Sequence, residues 1–153
     1  MSNDQTSEVG QPRAESRQIT WNIKLKIAND VTTRFPINLK SQDLEHGKMV
    51  VEPPSQLSVP VGRSEANFSF KSTGRSFSLR GTEGLVIYAA GDNPTSPTQF
   101  DFFWAVPYNK ANEGNVSMNS ITNYFLLDNG GGVPKEGHDV TVNVTITQVG
   151  PTI

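Results

Sequence analysis

The chain has 153 residues, a formal charge of −2 at neutral pH and no cysteine. That length holds one domain with a substantial core, and so even a charge balance gives no electrostatic footprint for nucleic acid. The missing thiols exclude disulfides, thiolate metal sites and a cysteine nucleophile.

Residues Met1 to Gln18 carry no large apolar side chain after Met1 except Val9. Such a segment buries too little to offset its ordering entropy, so residues 1–18 are expected to form a disordered, dispensable tail and residues 19–153 the domain. The tail has no apolar leader core, and no run approaches the roughly 20 apolar residues that span a bilayer. The expectation is synthesis in the cytoplasm and release by lysis or another route without a cleaved leader.

Periodicity two then takes over. Thr20 to Asn29 places Trp21, Ile23, Leu25 and Ile27 on one face and Asn22, Lys24 and Lys26 on the other, the pattern of a half-buried strand. Short strands are predicted over Pro36 to Lys40, Lys48 to Glu52 and Gln56 to Val59. Ala66 to Ser72 turns Phe68 and Phe70 inward. Glu83 to Ala90 is apolar on both parities and reads as a central strand. Gln99 to Val106 is an aromatic strand, and Asn123 to Asp128 is shorter. Asp139 to Gln148 repeats the first pattern with Val140, Val142, Val144 and Ile146 inside. Gly and Pro punctuate these segments, and no window keeps a helical period. The reading is all-β, a single antiparallel β-sandwich.

Catalytic chemistry finds little to work with. His46 and His138 stand in polar, turn-like contexts, and no HExxH, GxSxG or phosphate-cradling glycine loop is present. Asp92, Asn93 and Asp128 lack the spacing of a calcium loop and read as turn residues. No enzyme activity, cofactor or metal is expected.

The densest signal is Phe100, Phe102, Phe103 and Trp104 followed by Pro107, Tyr108 and Lys110. Phe100, Phe102 and Trp104 share one face of a strand, and Phe103 takes the other. Phe100 and Phe102 read as core. Trp104 and Tyr108 each join a large apolar ring to one polar donor, a combination favoured at membrane interfaces. Tyr108 lies in a polar loop where its ring can sit at headgroup depth while Lys110 meets phosphate. Trp104, on the strand, fits either the core or the interface.

These residues resemble a family. Gly74-Arg75-Ser76, then Gly81-Thr82 and Gly84 opening an apolar strand, then Phe102-Phe103-Trp104 with Pro107-Tyr108, are similar to the aegerolysins in order and spacing. The opening WNIKLKIAN and the closing GGGVPKEGHDVTVNVTIT extend the resemblance over about Ile19 to Gln148. Thr73 and Val106 stand where the family has cysteines, and Arg80 where some fungal members carry an acidic residue implicated in headgroup choice. Actinoporins are a second resemblance through AVPYN, but residues 1–18 lack their amphipathic N-terminal helix.

The first resemblance implies a β-sandwich that binds membrane lipids as one component of a pore-forming cytolytic or insecticidal toxin, with a larger partner protein making the pore. The lipid-binding residues it implies are Trp104, Tyr108, Lys110, Arg80 and Arg75. The alternative is a carbohydrate-binding module that uses Trp104 and Tyr108 as stacking platforms.

Overall fold

The two most regular segments of the sequence lie side by side. In the computed structural model, which describes residues 17–75, 80–119 and 124–153, β1 (Gln18–Ile27) pairs along its whole length with β10 (Asp139–Gln148). Trp21 stands opposite Val142 and Ile23 opposite Val144. Both strands alternate apolar and polar side chains, so pairing them in register builds one continuous apolar face. The pairing is parallel; every other described strand pair is antiparallel, so the antiparallel sandwich expected from the sequence holds with this one parallel pair at its centre.

The remaining strands are β2 (Ile37–His46), β3 (Lys48–Val51), β4 (Gln56–Leu57), β5 (Glu65–Thr73), β6 (Thr82–Ala90), β7 (Gln99–Val106), β8 (Glu113–Met118) and β9 (Phe125–Asp128). They make two five-stranded sheets, ordered β3-β5-β1-β10-β9 and β4-β2-β6-β7-β8. The sheets face one another across an aromatic core. Trp21 of the first meets Phe102 of the second edge-on at 5.3 Å between ring centroids, and Phe100 meets Phe125 in the same manner at 5.6 Å. The architecture is therefore an all-β sandwich, and β6 is the middle strand of its sheet, as its two-sided apolarity predicts.

Three expectations need adjustment. β2 runs to His46 rather than stopping near Lys40, because bulges between Leu39 and Ser41 and between Leu44 and His46 break the alternation that would have marked its second half. β8 lies where a polar loop was expected; it is an edge strand that buries only Val116. β1 begins at Gln18, and the chain is already tied down at Arg17, whose carbonyl accepts from Gly74 N at 2.8 Å. The rest of the expected tail, Ser76 of the Gly-Arg-Ser motif and the start of the predicted strand at Asn123 lie outside the described residues.

One polar chain crosses the apolar core. Trp104 Nε1 donates to Thr82 Oγ1 (3.1 Å), which lies 2.5 Å from Ser72 Oγ on the opposite sheet, and Ser72 Oγ donates to the Lys48 carbonyl (3.1 Å). Because the Ser72 proton goes to Lys48, Thr82 must donate to Ser72. Thr82 is buried, so Thr82→Val leaves the indole N–H without its acceptor at nearly constant volume. The expected cost is about 1–3 kcal/mol, read as a lower urea midpoint with an unchanged m-value.

Candidate functional site

Strand register brings five chain segments to one end of the sandwich. Gln18 pairs with both Asp139 and Thr73, Thr82 pairs with Val106, and Glu83 pairs with His46. The segments that continue from these residues therefore share a pole: His46-Gly47, Gly74-Arg75, Arg80-Gly81, Pro107 to Asn112, and Pro134 to His138.

Glycine contacts draw the segments together. Gly81 holds φ at +73°, a conformation costly for other residues, and backs onto the Val106 carbonyl; a Cβ there would also stand 3.0 Å from Pro107 Cα. A Cβ on Gly74 would lie 3.2 Å from Gly81 Cα. Arg75, Arg80 and the Pro107-Tyr108 turn are neighbours at this end for that reason. Arg75, Arg80 and Lys110 are exposed and Tyr108 is half-buried. Arg80 Nη1 lies 3.4 Å from His46 Nε2.

Beside them an open groove of about 360 Å³ runs between the 107–112 and 134–137 segments. Buried Asn112 braces its two walls: Nδ2 donates to the carbonyls of Pro134 (3.1 Å) and Gly137 (2.9 Å), and the backbone N donates to Lys135 O (2.9 Å). Arg17 reaches in from the start of β1, its guanidinium carbon 4.9 Å from the centre of the Tyr108 ring. Lys110 and Lys135 line the groove, as does one carboxylate, Glu136.

The structure thus gathers Tyr108, Lys110, Arg75 and Arg80 at one pole but separates Trp104 from them. Trp104 is wholly buried, packed against Phe70 at 5.9 Å and Trp21 at 6.5 Å, with its N–H spent on Thr82. It belongs to the core. Its position on the inward parity of β7, opposite Gly84, leaves the ring no route to a membrane or a sugar.

Arg17, Asn112 and Lys135 escaped the sequence reading. A signal for Arg17 did exist, since Ile19 extends the Trp21 to Ile27 alternation backward and carries the strand toward residue 17. Nothing local marks Asn112 or Lys135, which meet across 22 residues of intervening sequence.

A second open concavity, of about 510 Å³, lies on the outer face of the β6-β7-β8 sheet. Phe103, 37% exposed as its outward parity predicts, lines it together with Leu85, Asp101, Glu113, Asn115 and Ser117. Two carboxylates and no cation line it, so its electrostatics are opposite to those of the polar groove. The turn carboxylates hold backbone: Asp92 accepts from Thr98 N (2.9 Å) and Oγ1 (2.6 Å), and Asp128 from Gly130 N (3.0 Å).

The chain matches no family model and no curated protein by sequence. Its fold is similar to that of several solved structures. IP-1A from Alcaligenes faecalis shares 18% identity over 84% of this chain and 90% of that one, with a TM-score of 0.57. The RahU protein, solved in complex with a TRIS molecule, shares 16% identity over 87% of this chain and 97% of that one, with a TM-score of 0.53. The lipid-binding protein Nakanori shares 12% identity over 84% of this chain and 71% of that one, with a TM-score of 0.55. Likeness at these identities establishes the shared sandwich fold.

Proposed function

We propose that this protein binds membrane lipids through the pole that carries Tyr108, and that it serves as the binding component of a two-part pore-forming toxin. The carrying observation is the convergence there of a half-exposed tyrosine with Arg17, Arg75, Arg80, Lys110 and Lys135. A phenol ring seeks the boundary between acyl chain and headgroup, and guanidinium and ammonium groups seek phosphate. The aegerolysin resemblance and the shared fold with a lipid-binding protein support the reading. Binding, not turnover, is the role assigned to this surface.

Liposome co-sedimentation tests it. Tyr108→Ala is expected to weaken vesicle binding about tenfold, or about 1–2 kcal/mol, while the melting temperature moves little because the ring is only half-buried. A destabilised variant whose folded fraction binds vesicles normally would remove this turn from the membrane face.

The two-part reading makes a separate prediction. At concentrations that saturate the vesicle surface, the pure protein is expected to release little entrapped dye, because none of its described segments forms an amphipathic helix. Substantial release by the protein alone would contradict the need for a larger partner.

A further inference from the structure

We infer that the groove between the 107–112 and 134–137 segments is a phosphate-binding site, with Arg17 as its principal ligand. The inference deepens the membrane reading by naming the chemical group this pole would hold, and it depends on that reading only for where the phosphate comes from.

The first observation is an unspent donor. Arg17 Nε is buried and has no hydrogen-bond partner among the described residues. A guanidinium N–H removed from water without an acceptor is costly, and buried donors are normally matched. The second is placement. The Arg17 backbone is fixed by the bond from Gly74 N to its carbonyl and by the Gln18 N to His138 O bond at 2.7 Å, so its side chain enters the groove from a rigid strand end. The third is charge. Arg17, Lys110 and Lys135 line the groove against the single carboxylate of Glu136, and the groove therefore favours an anion. The fourth is rigidity: the three bonds from Asn112 fix the spacing of the two walls before any ligand arrives.

Among anions, these groups fit a phosphate mono- or diester. A guanidinium presents a planar fork of donors that matches two phosphate oxygens, while lysines on either wall act as point charges toward the others. The cation over the Tyr108 ring gives Arg17 a flat support that orients the fork without using its N–H groups. The open form of the groove lets the substituent of the ester leave toward solvent or toward a bilayer.

The test uses the full chain and three probes: inorganic phosphate, phosphatidylcholine vesicles, and galactosyl diacylglycerol vesicles, which present no phosphate. Inorganic phosphate is expected to shift the Arg17 Nε–H resonance and the amides of residues 108–112 and 135–137. Arg17→Gln is expected to weaken this binding about tenfold or more, and Arg17→Lys to restore part of it. Arg17→Gln should weaken phosphatidylcholine binding similarly and leave galactolipid binding unchanged. Should Arg17→Gln fail to fold, Lys135→Gln at the exposed rim replaces it, with the same direction of effect.

The arms separate the sources. Phosphate binding in the groove, with vesicle binding indifferent to Arg17, supports the site and assigns it to a soluble phosphoester. Arg17-dependent binding of phosphatidylcholine alone supports the site and assigns it to a headgroup. Vesicles that bind with or without phosphate, indifferent to Arg17, with no phosphate-induced shift, overturn the site and leave membrane docking standing. The absence of both phosphate and vesicle binding overturns both.

Discussion

Trp104→Ala is expected to cost about 3–5 kcal/mol of folding stability and to leave the lipid affinity of the folded protein unchanged. The ring is completely buried between the sheets. It packs on Phe70 and Trp21, and it fills the space that Gly84 leaves open on the adjacent strand: a Cβ there would stand 2.6 Å from Trp104 Cζ2. Truncation removes these contacts, opens a cavity that the flanking strands cannot close, and strands the Thr82 hydroxyl without its indole donor. For a domain of this size the loss corresponds to a fall in melting temperature of roughly 6–20 °C. Chemical denaturation gives the stability, and a vesicle titration at a temperature where the variant is still folded gives the affinity. A variant that melts like the parent but no longer binds vesicles would return the ring to the interface.

Trp104 also shows where sequence reasoning stops. The parity of β7 settles that Phe100, Phe102 and Trp104 share a face, and the outward turn of Phe103 follows from the same alternation. Parity does not say which face is covered. For Trp104 the answer depends on β1 and β5 of the opposite sheet, which bring Trp21 and Phe70 to it across more than 30 residues of sequence. The strands with clean alternation, β1 and β10, were legible with their inward residues, but their parallel partnership was not, because alternation is indifferent to strand direction. β8 was hidden for the opposite reason: an edge strand burying only Val116 has little alternation to display. The pole was legible in part. Tyr108 and Lys110 are neighbours in sequence, and the glycine-flanked Arg75 and Arg80 were pointed to by the family resemblance. The backward run of the β1 alternation hints that Arg17 is ordered, but its place in the groove comes from the register of β1 with β10, and that of Lys135 from the Asn112 brace, neither of which a local pattern encodes.

The charge of that pole can be tested more severely than any single contact. The paired change Lys110→Glu and Lys135→Glu is expected to weaken binding to vesicles containing anionic lipid by about 2–4 kcal/mol, roughly 30- to 1000-fold. A basic residue near such a surface contributes about 1 kcal/mol, and each reversal adds repulsion to the loss of attraction. Both lysines are exposed, so the melting behaviour should stay within about 0.5 kcal/mol of the parent. The control is Lys24→Glu with Lys26→Glu, which makes the same change in net charge on the exposed face of β1, away from the pole. If docking is local, the control binds within a few-fold of the parent. Raising the salt should weaken the parent and the control and largely spare the pole variant, whose attraction is already gone. Equal loss in both paired variants would show that net charge alone sets the affinity and that the pole has no special part in meeting the membrane.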